Sequence, residues 1–342
     1  MQTADRYARQ VRYPPLGQQG QRRLSAGRAL VCGCGALGSA IADMLVRAGV
    51  GAVRIVDRDF VELGNLHRQS LFDEADAAAA LPKAVAAAEK LRRINSAVQV
   101  EPIVADIEPA NIEGFCAQAD VMLDGTDNFE TRFLMNDAAV RLGLPWVYGG
   151  CVGAEGQTMT ILPGQTGCLR CLLPECPPPG STPTCDTAGI IGPIVHAIAA
   201  LEVAEAIKIL SGNLQAVSRH LTVVEVWQNR FSRLDVAALR GSVDCPACQR
   251  HEFAWLSGRA GSSTAVLCGR NAVQLSHPGR ATPLDDLVRR LAGLGRITRN
   301  PFLLRLAVEG YEITLFPDGR AIIHGTHDPA VARTIYARYV GS

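Results

Sequence analysis

Three glycines and the charged residues that follow them hold the first chemistry in this chain. Gly33, Gly35 and Gly38 stand in the stretch Gly33-Cys34-Gly35-Ala36-Leu37-Gly38, with Asp57 further on. Glycines at this spacing let backbone approach a phosphate, and a helix starting there favours negative charge at its N-terminus. An acid roughly twenty residues later can accept hydrogen bonds from ribose hydroxyls. Alone, the pattern fits a dinucleotide-dependent dehydrogenase as well as any other nucleotide enzyme, and glycines kept only for a tight turn would also give it. The next residues separate these readings. Asp57-Arg58-Asp59 runs into Asn65-Leu66-His67-Arg68-Gln69, then Pro82-Lys83, then Asp124-Gly125-Thr126-Asp127-Asn128. A dehydrogenase has no particular use for the extra arginine, lysine and acid. A triphosphate has. When a carboxylate attacks the α-phosphate of ATP, charge builds on the phosphorus oxygens and on the departing pyrophosphate, and fixed cations with magnesium must meet it. A buried acid is expected to hold that metal. The plain alternatives are a surface ion pair for Arg68 and a water-facing lysine for Lys83. A lysine at the start of a helix is mildly unfavourable for the helix dipole, so a phosphate partner makes better sense of it.

Cysteine supplies the second chemistry. Cys168-Leu169-Arg170-Cys171 and Cys245-Pro246-Ala247-Cys248 are two close thiol pairs, and four thiolates complete a tetrahedral zinc site with no open position for water. The long separation between the pairs leaves ordinary buried cysteines as the competing reading. Cys185 lies in Ser181-Thr182-Pro183-Thr184-Cys185, after Pro177-Pro178-Pro179-Gly180. That composition suggests an exposed loop, and a thiol beside a helix start is a better nucleophile. Cys176 is a rival nearby thiol. Cys32, Cys34, Cys116, Cys151 and Cys268 read as packing residues, and the histidines show no ligand spacing.

These residues need elements to position them. Arg28–Cys32 reads as a buried strand, and Ile41, Met44, Leu45 and Ala48 give the following helix its apolar face. Gly49 and Gly51 stop that helix, and Ala52–Val56 is the next strand, ending on Asp57. A second helix is expected from about Pro82 to Ile94, with strands over 98–104 and 121–123. The apolar run 190–210 carries His196, Glu202, Glu205 and Lys208, which makes it a core helix. Alternating strands and helices imply an α/β fold with a parallel, doubly wound, Rossmann-like sheet. Residues 251–263 hold Gly258, Gly261 and three serines and suit a linker. Beyond it, 264–342 reads as a small α+β domain. Thr282-Pro283 opens a helix there, 311–316 alternates as a strand, Pro317-Asp318-Gly319 is a hairpin turn, and Asp328-Pro329 opens a last helix.

The motifs together resemble the ThiF/MoeB/HesA adenylyltransferases, bacterial relatives of ubiquitin-activating enzymes. The likeness spans about residues 6–250. It rests on Arg6-Tyr7-Ala8-Arg9-Gln10, the glycine turn, Asn65-Leu66-His67-Arg68-Gln69, Pro82-Lys83, Thr126-Asp127-Asn128, Gly156-Gln157 and the two cysteine pairs. The resemblance implies an ATP-binding adenylation domain over 1–250. It places Asp57 and Asp59 near the ribose, Asn65, Arg68 and Lys83 on the phosphates, and Asp127 at magnesium with Asn128 beside it. Arg9 matches an arginine that reaches the ATP of a partner subunit, which implies a homodimer with composite sites. Cys168, Cys171, Cys245 and Cys248 match a structural zinc site, and Cys185 matches the candidate for a covalent link to carrier or sulfur donor. The implied reaction is adenylation of the C-terminal carboxylate of a small ubiquitin-like sulfur-carrier protein, ahead of thiocarboxylate formation for thiamin, molybdopterin or another sulfur product. A sulfur-donor protein is the further partner expected. Shorter members of the family end soon after the second cysteine pair, so the C-terminal domain is an addition.

The whole chain bounds these readings. Its 342 residues are 48% apolar and 20% charged, with a formal net charge of +1, so nucleic acid is not the expected partner. No run long enough to span a membrane and no signal-peptide core is present, and a cytoplasmic location is expected. Eleven cysteines in a reducing compartment point to metal or thiol chemistry. An NAD-dependent oxidoreductase and a non-catalytic carrier-binding scaffold are the alternatives. The first leaves Arg68, Lys83 and Asp127 without a role, and the second does not need them.

Overall fold

A computed structural model describes residues 6–177, 185–260, 265–267, 271–276 and 284–340. Cys268, Thr282-Pro283 and the stretch from Pro178 to Thr184 lie outside the described residues. Among those described, the strands form two sheets.

The first sheet begins with β1 (Arg28–Cys32), β2 (Ala52–Val56), β3 (Gln99–Ile103), β4 (Val121–Asp124) and β5 (Trp146–Val152). These pair in parallel in the order β3-β2-β1-β4-β5. The order reverses at β1, and the crevice beyond the strand ends at that point is where such sheets bind ligands. Helices Ala36–Ala48 and Lys83–Ile94 are the expected ones, each within a residue or two of its predicted bounds. Gly49 adopts a left-handed φ of 82° and takes the last carbonyls of the first helix, as a C-terminal glycine does. The long apolar run forms the helix Gly192–Ser211, packed against Ala36–Ala48 and the middle of the sheet. No helix among the described residues is long and apolar enough to cross a membrane.

The sheet is mixed, whereas alternation alone predicts a purely parallel one. β6 (Glu155–Ile161), β7 (His220–Glu225) and β8 (Arg230–Asp235) continue it antiparallel from β5. The β5–β6 turn at Gly153-Ala154 joins neighbours without a crossover helix, so helix–strand alternation stops there.

The second sheet is made of the C-terminal strands, in the order Arg296–Arg299, Leu304–Val308, Tyr311–Leu315, Arg320–His324, Ala272–Ser276, Ala265–Leu267. Its strands are β9 (Ala265–Leu267), β10 (Ala272–Ser276), β11 (Arg296–Arg299), β12 (Leu304–Val308), β13 (Tyr311–Leu315) and β14 (Arg320–His324). Helices Leu284–Leu291 and Pro329–Tyr339 cover its apolar face. Pro317-Asp318-Gly319 does make the β13–β14 turn, with Gly319 at a φ of 89°. Asp328 caps the last helix by accepting from the Ala330 and Val331 amides. The stretch expected to be a linker is packed at 253–256. There Leu256 is buried in the main core, the Trp255 ring packs at a tilt against Phe133, and the Trp255 amide donates to Asp137 Oδ2 at 3.0 Å.

Candidate active site

The glycine turn sits at the C-terminal end of β1, where the chain enters the helix Ala36–Ala48. Two of its glycines are fixed by backbone packing. A Cβ on Gly33 would lie 2.5 Å from the Gly125 carbonyl, and one on Gly38 only 1.9 Å from the Gly33 carbonyl. Gly35 differs, because the nearest atom to its Cβ would be Gln69 Nε2 at 3.9 Å. Nothing in the protein needs Gly35 to be small, so close approach of something outside the chain is the better reason for it.

The acids of the β2 end close over this turn. Asp57 accepts from the Cys34 amide at 2.5 Å and from the Asp59 amide at 2.6 Å. Burial pushes its carboxyl up, against the pull of Lys83, with Asp59 pushing it up further. Lys83 is only 2% exposed, and its ammonium meets Asp59 Oδ2 at 3.2 Å. It therefore does not face water, and the plain alternative for this residue is overturned. Its helix begins at the bridge between Pro82 and Phe60, which carries Lys83 back to the Asp57–Asp59 turn.

The turn Asn65–Gln69 flanks the same space, as the approach of Gln69 to Gly35 records. Asn65 is buried, and its Oδ1 accepts from Arg68 Nη2 at 2.8 Å, which aims the guanidinium. Asp127 lies on the loop after β4 and is exposed, which corrects the expectation of a buried acid. The buried acid is Asp124. It accepts from Arg132 Nε at 2.9 Å and from the Thr126 hydroxyl at 2.7 Å. Asn128 has a structural task, because its Oδ1 accepts from the Thr131 amide at 2.9 Å and caps the helix Phe129–Leu142.

Arg9 is not brought to this site. Its neighbour Gln10 donates to the Ala48 carbonyl, at the far end of the helix that starts at the glycine turn. That helix has 13 residues and spans about 20 Å, beyond the reach of an arginine. Cys185 does lie on the glycine-turn side. Its thiol is 3.5 Å from the Cys151 carbonyl near the end of β5. The helix it opens is a single turn, Cys185–Ala188, so a dipole-based activation has little behind it.

A buried network that the motifs do not reveal lies beneath β5. Arg132 Nη2 donates to the carbonyls of Thr126 and Gly149, and its guanidinium lies over the Tyr148 ring. Tyr148 in turn accepts from Gln157 Nε2 at 2.7 Å. Glu202, fully buried, presses its carboxyl against Gly149, and burial followed by the nearby Asp124 charge pushes it well above the usual carboxylate range. Its sequence signs are an acid, Glu202, in the apolar run 190–210 and Gln157 of the Gly156-Gln157 pair.

The four paired cysteines come together as one cluster. Their sulfurs lie within 4.8 Å of one another, with Cys168–Cys245 at 3.6 Å, Cys171–Cys248 at 3.4 Å and Cys168–Cys171 at 3.9 Å. Zinc–sulfur bonds of about 2.3 Å at tetrahedral angles put sulfurs about 3.8 Å apart, so the cluster fits such an ion. Asn136 supports it by accepting from the Leu169 amide at 2.8 Å. Among the described residues, Cys32, Cys34 and Cys116 are buried as expected, whereas Cys151 is half-buried.

The chain is similar to known proteins in sequence and in fold. Residues 7–247 match the model of the ThiF family. The chain is 44% identical over 338 residues to the sulfur carrier protein ThiS adenylyltransferase of Bacillus subtilis, covering 98% of this chain and 99% of that one. It is 39% identical over 249 residues to the sulfur carrier protein adenylyltransferase of Thermus thermophilus, covering 71% and 90%. Among solved structures, E. coli MccB with ATP superposes with a TM-score of 0.60 at 22% identity, over 71% of this chain and 74% of that one. That last likeness is one of fold.

Proposed function

The chain belongs to the ThiF family, and from that membership we propose that it adenylates the C-terminal carboxylate of a small ubiquitin-like sulfur-carrier protein with ATP, releasing pyrophosphate. The observation that carries the reading is the buried Lys83–Asp59 pair beside the open face of Gly35. It offers a fixed cation and an acid suited to a ribose hydroxyl beside the glycine turn.

In this reading the Gly33–Gly38 turn and the helix start receive the nucleotide phosphates, and Asp57 and Asp59 accept from the ribose hydroxyls. Asn65, Arg68 and Lys83 hold the phosphate oxygens. One carboxylate oxygen of the carrier attacks the α-phosphorus while the bond to the β-phosphate oxygen breaks. Charge grows on pyrophosphate, and donors already in place stabilise it without reorganising. Asp127, an exposed oxygen donor beside Asn128, suits magnesium, which would supply further positive charge. The cysteine cluster would hold zinc as a structural ion, since four thiolates leave no open position.

Arg9 cannot serve its own site, which supports a homodimer in which each Arg9 completes the other subunit's site. Cys185 remains the candidate nucleophile for a step after adenylation, with a sulfur-donor protein as the further partner. The B. subtilis relative names ThiS, so a ThiS-type carrier is the first to offer. The test incubates the protein with ATP and a panel of ubiquitin-like carriers and weighs the products. A carrier–adenylate is expected, and ATP left uncleaved with every carrier would refute the reading.

A further inference from the structure

Side chains at the end of β2 face alternate ways, as successive residues of extended chain do. Asp57 and Asp59 turn to the glycine turn and Lys83. Phe60, after them, turns to the C-terminal sheet, while Arg58, between them, turns its guanidinium to Asp106 and its carbonyl to that unit. Phe60 is 4% exposed and packs with Ala272, Leu303, Phe316 and Ile322 of that unit, while Arg305 lies over its ring at 3.9 Å. The Arg58 guanidinium binds both oxygens of Asp106, at 3.1 and 2.9 Å, and stands 3.8 Å from Asp59.

The C-terminal unit holds this arginine directly at its carbonyl and indirectly through Asp106. Arg320, at the start of β14, donates from Nη1 to the Arg58 carbonyl at 3.3 Å. It is 5% exposed and is itself held by Asp318 at 2.7 Å and by the Phe316 ring at 4.5 Å. Gln274 of β10, 2% exposed, donates to Asp106 Oδ2 at 2.5 Å, the carboxylate that orients Arg58. A second anchor lies nearby, where Asn300 donates to the carbonyls of Ala79 and Ala80, just before Pro82-Lys83. The added unit thus holds both segments that bring Asp59 and Lys83 together.

We propose that the C-terminal unit is a positioning clamp for the nucleotide-binding turn, with Arg320 and Gln274 as the positioning residues that fix Asp57 and Asp59 through Arg58 and Asp106. The proposal rests on the nucleotide reading of Asp57 and Asp59 given above. A unit present only to dock could land on any surface of the main domain. This one closes on the residues that alternate with the two acids. Binding and rate fall steeply when positioning groups shift even slightly, because productive geometry tolerates little error.

The test uses the full chain carrying Arg320→Gln, Arg320→Lys or Gln274→Leu. Calorimetry with magnesium-ATP and no carrier gives nucleotide affinity, and pyrophosphate exchange gives KM for ATP and for the carrier. Arg320→Gln and Gln274→Leu are expected to weaken ATP binding by about fivefold to tenfold or more, with KM for the carrier unchanged and zinc content intact. Arg320→Lys, which keeps a donor and the charge, should fall between them and the parent. ATP affinity within twofold of the parent in both folded variants overturns the clamp. So does loss of folding in both, or a loss of activity that follows the folded fraction alone. The affinity measurement needs no carrier, so failure of the parent to adenylate any carrier would refute the adenylation reading and leave the clamp to be judged separately.

Discussion

Burying the ammonium of Lys83 is costly, and the Asp59 carboxylate with the nearby Asp57 offsets that cost. Arg68 is half-buried and is aimed by Asn65 rather than by an acid, so its charge stays available to a ligand. Arg68→Ala and Lys83→Ala should each lower carrier-dependent ATP–pyrophosphate exchange by on the order of a hundredfold, as lost charge-stabilising donors do. Near-normal exchange in both would remove them from the phosphate site. Cys185 belongs to a different step. Adenylation needs no thiol, so Cys185→Ala should keep exchange nearly intact while losing any covalent carrier adduct and slowing thiocarboxylate formation. Cys176, whose thiol burial pushes up to about 11, is a poor nucleophile, and Cys176→Ala should change neither step. A normal thiocarboxylate rate in Cys185→Ala would make that residue part of the loop and nothing more. Lys83 and Arg68 were legible as candidates from residue type and spacing. The work of Arg132, Glu202 and Arg58 was not, since each acts through groups distant in sequence.

One helix, Phe129–Leu142, ties several regions together. Its cap Asn128 adjoins Asp127, Arg132 reaches under β5, Asn136 steadies the cysteine cluster, and Asp137 receives the Trp255 amide. Asp137 is buried, with Arg170 at 3.7 Å as its ion-pair partner. Burial raises its carboxyl to about 6 despite the Trp255 amide and Arg170, which both pull the other way. A free aspartate titrates near 3.9, so the folded chain holds this proton more tightly than the unfolded chain does. Its contribution to stability is therefore fully present below about pH 4 and is lost as pH rises through about 6. Asp137→Asn keeps an acceptor for the amide and removes the charge. The variant should gain in melting temperature relative to the parent at pH 7.5 and gain less at pH 5. An equal difference at both pH values would show that Asp137 is not the titrating group. No helix is expected over 129–142 from the sequence, and nothing local to these residues says which neighbours its polar side chains meet.

The cysteine cluster joins Cys168–Cys171, just after β6, to Cys245–Cys248, close to the boundary between the two units. Metal bound there contributes folding free energy, because the unfolded chain offers no preformed site. The purified protein should hold one zinc per chain. Cys171→Ser or Cys248→Ser should release it and lower the melting temperature by several degrees, as a loss of about 2 kcal/mol would in a protein of this size. Metal analysis finding a stable, zinc-free native chain would contradict this. The C-terminal unit adds a second core to the molecule, built from its antiparallel sheet and the helices Leu284–Leu291 and Pro329–Tyr339. It meets the main domain through Phe60, Arg58 and the Ala79–Ala80 carbonyls.

Local chemistry is what the sequence determined by itself. A glycine turn between an apolar strand and an amphipathic helix can be written in consecutive residues, because its backbone demands and its phosphate affinity are both local. The caps at Asn128 and Asp328, the turn at Pro317-Asp318-Gly319 and the paired cysteines are local in the same sense. The tertiary structure decided what depends on partners far along the chain. It turned the sheet antiparallel after β5, assigned Asp124 to Arg132 and left Asp127 exposed, and held Arg9 away from its own glycine turn. It also folded the added unit back onto Arg58 across 262 positions of sequence. Such contacts are set by how packed elements meet, and burial at those meetings fixes which charges are paired and which stay open.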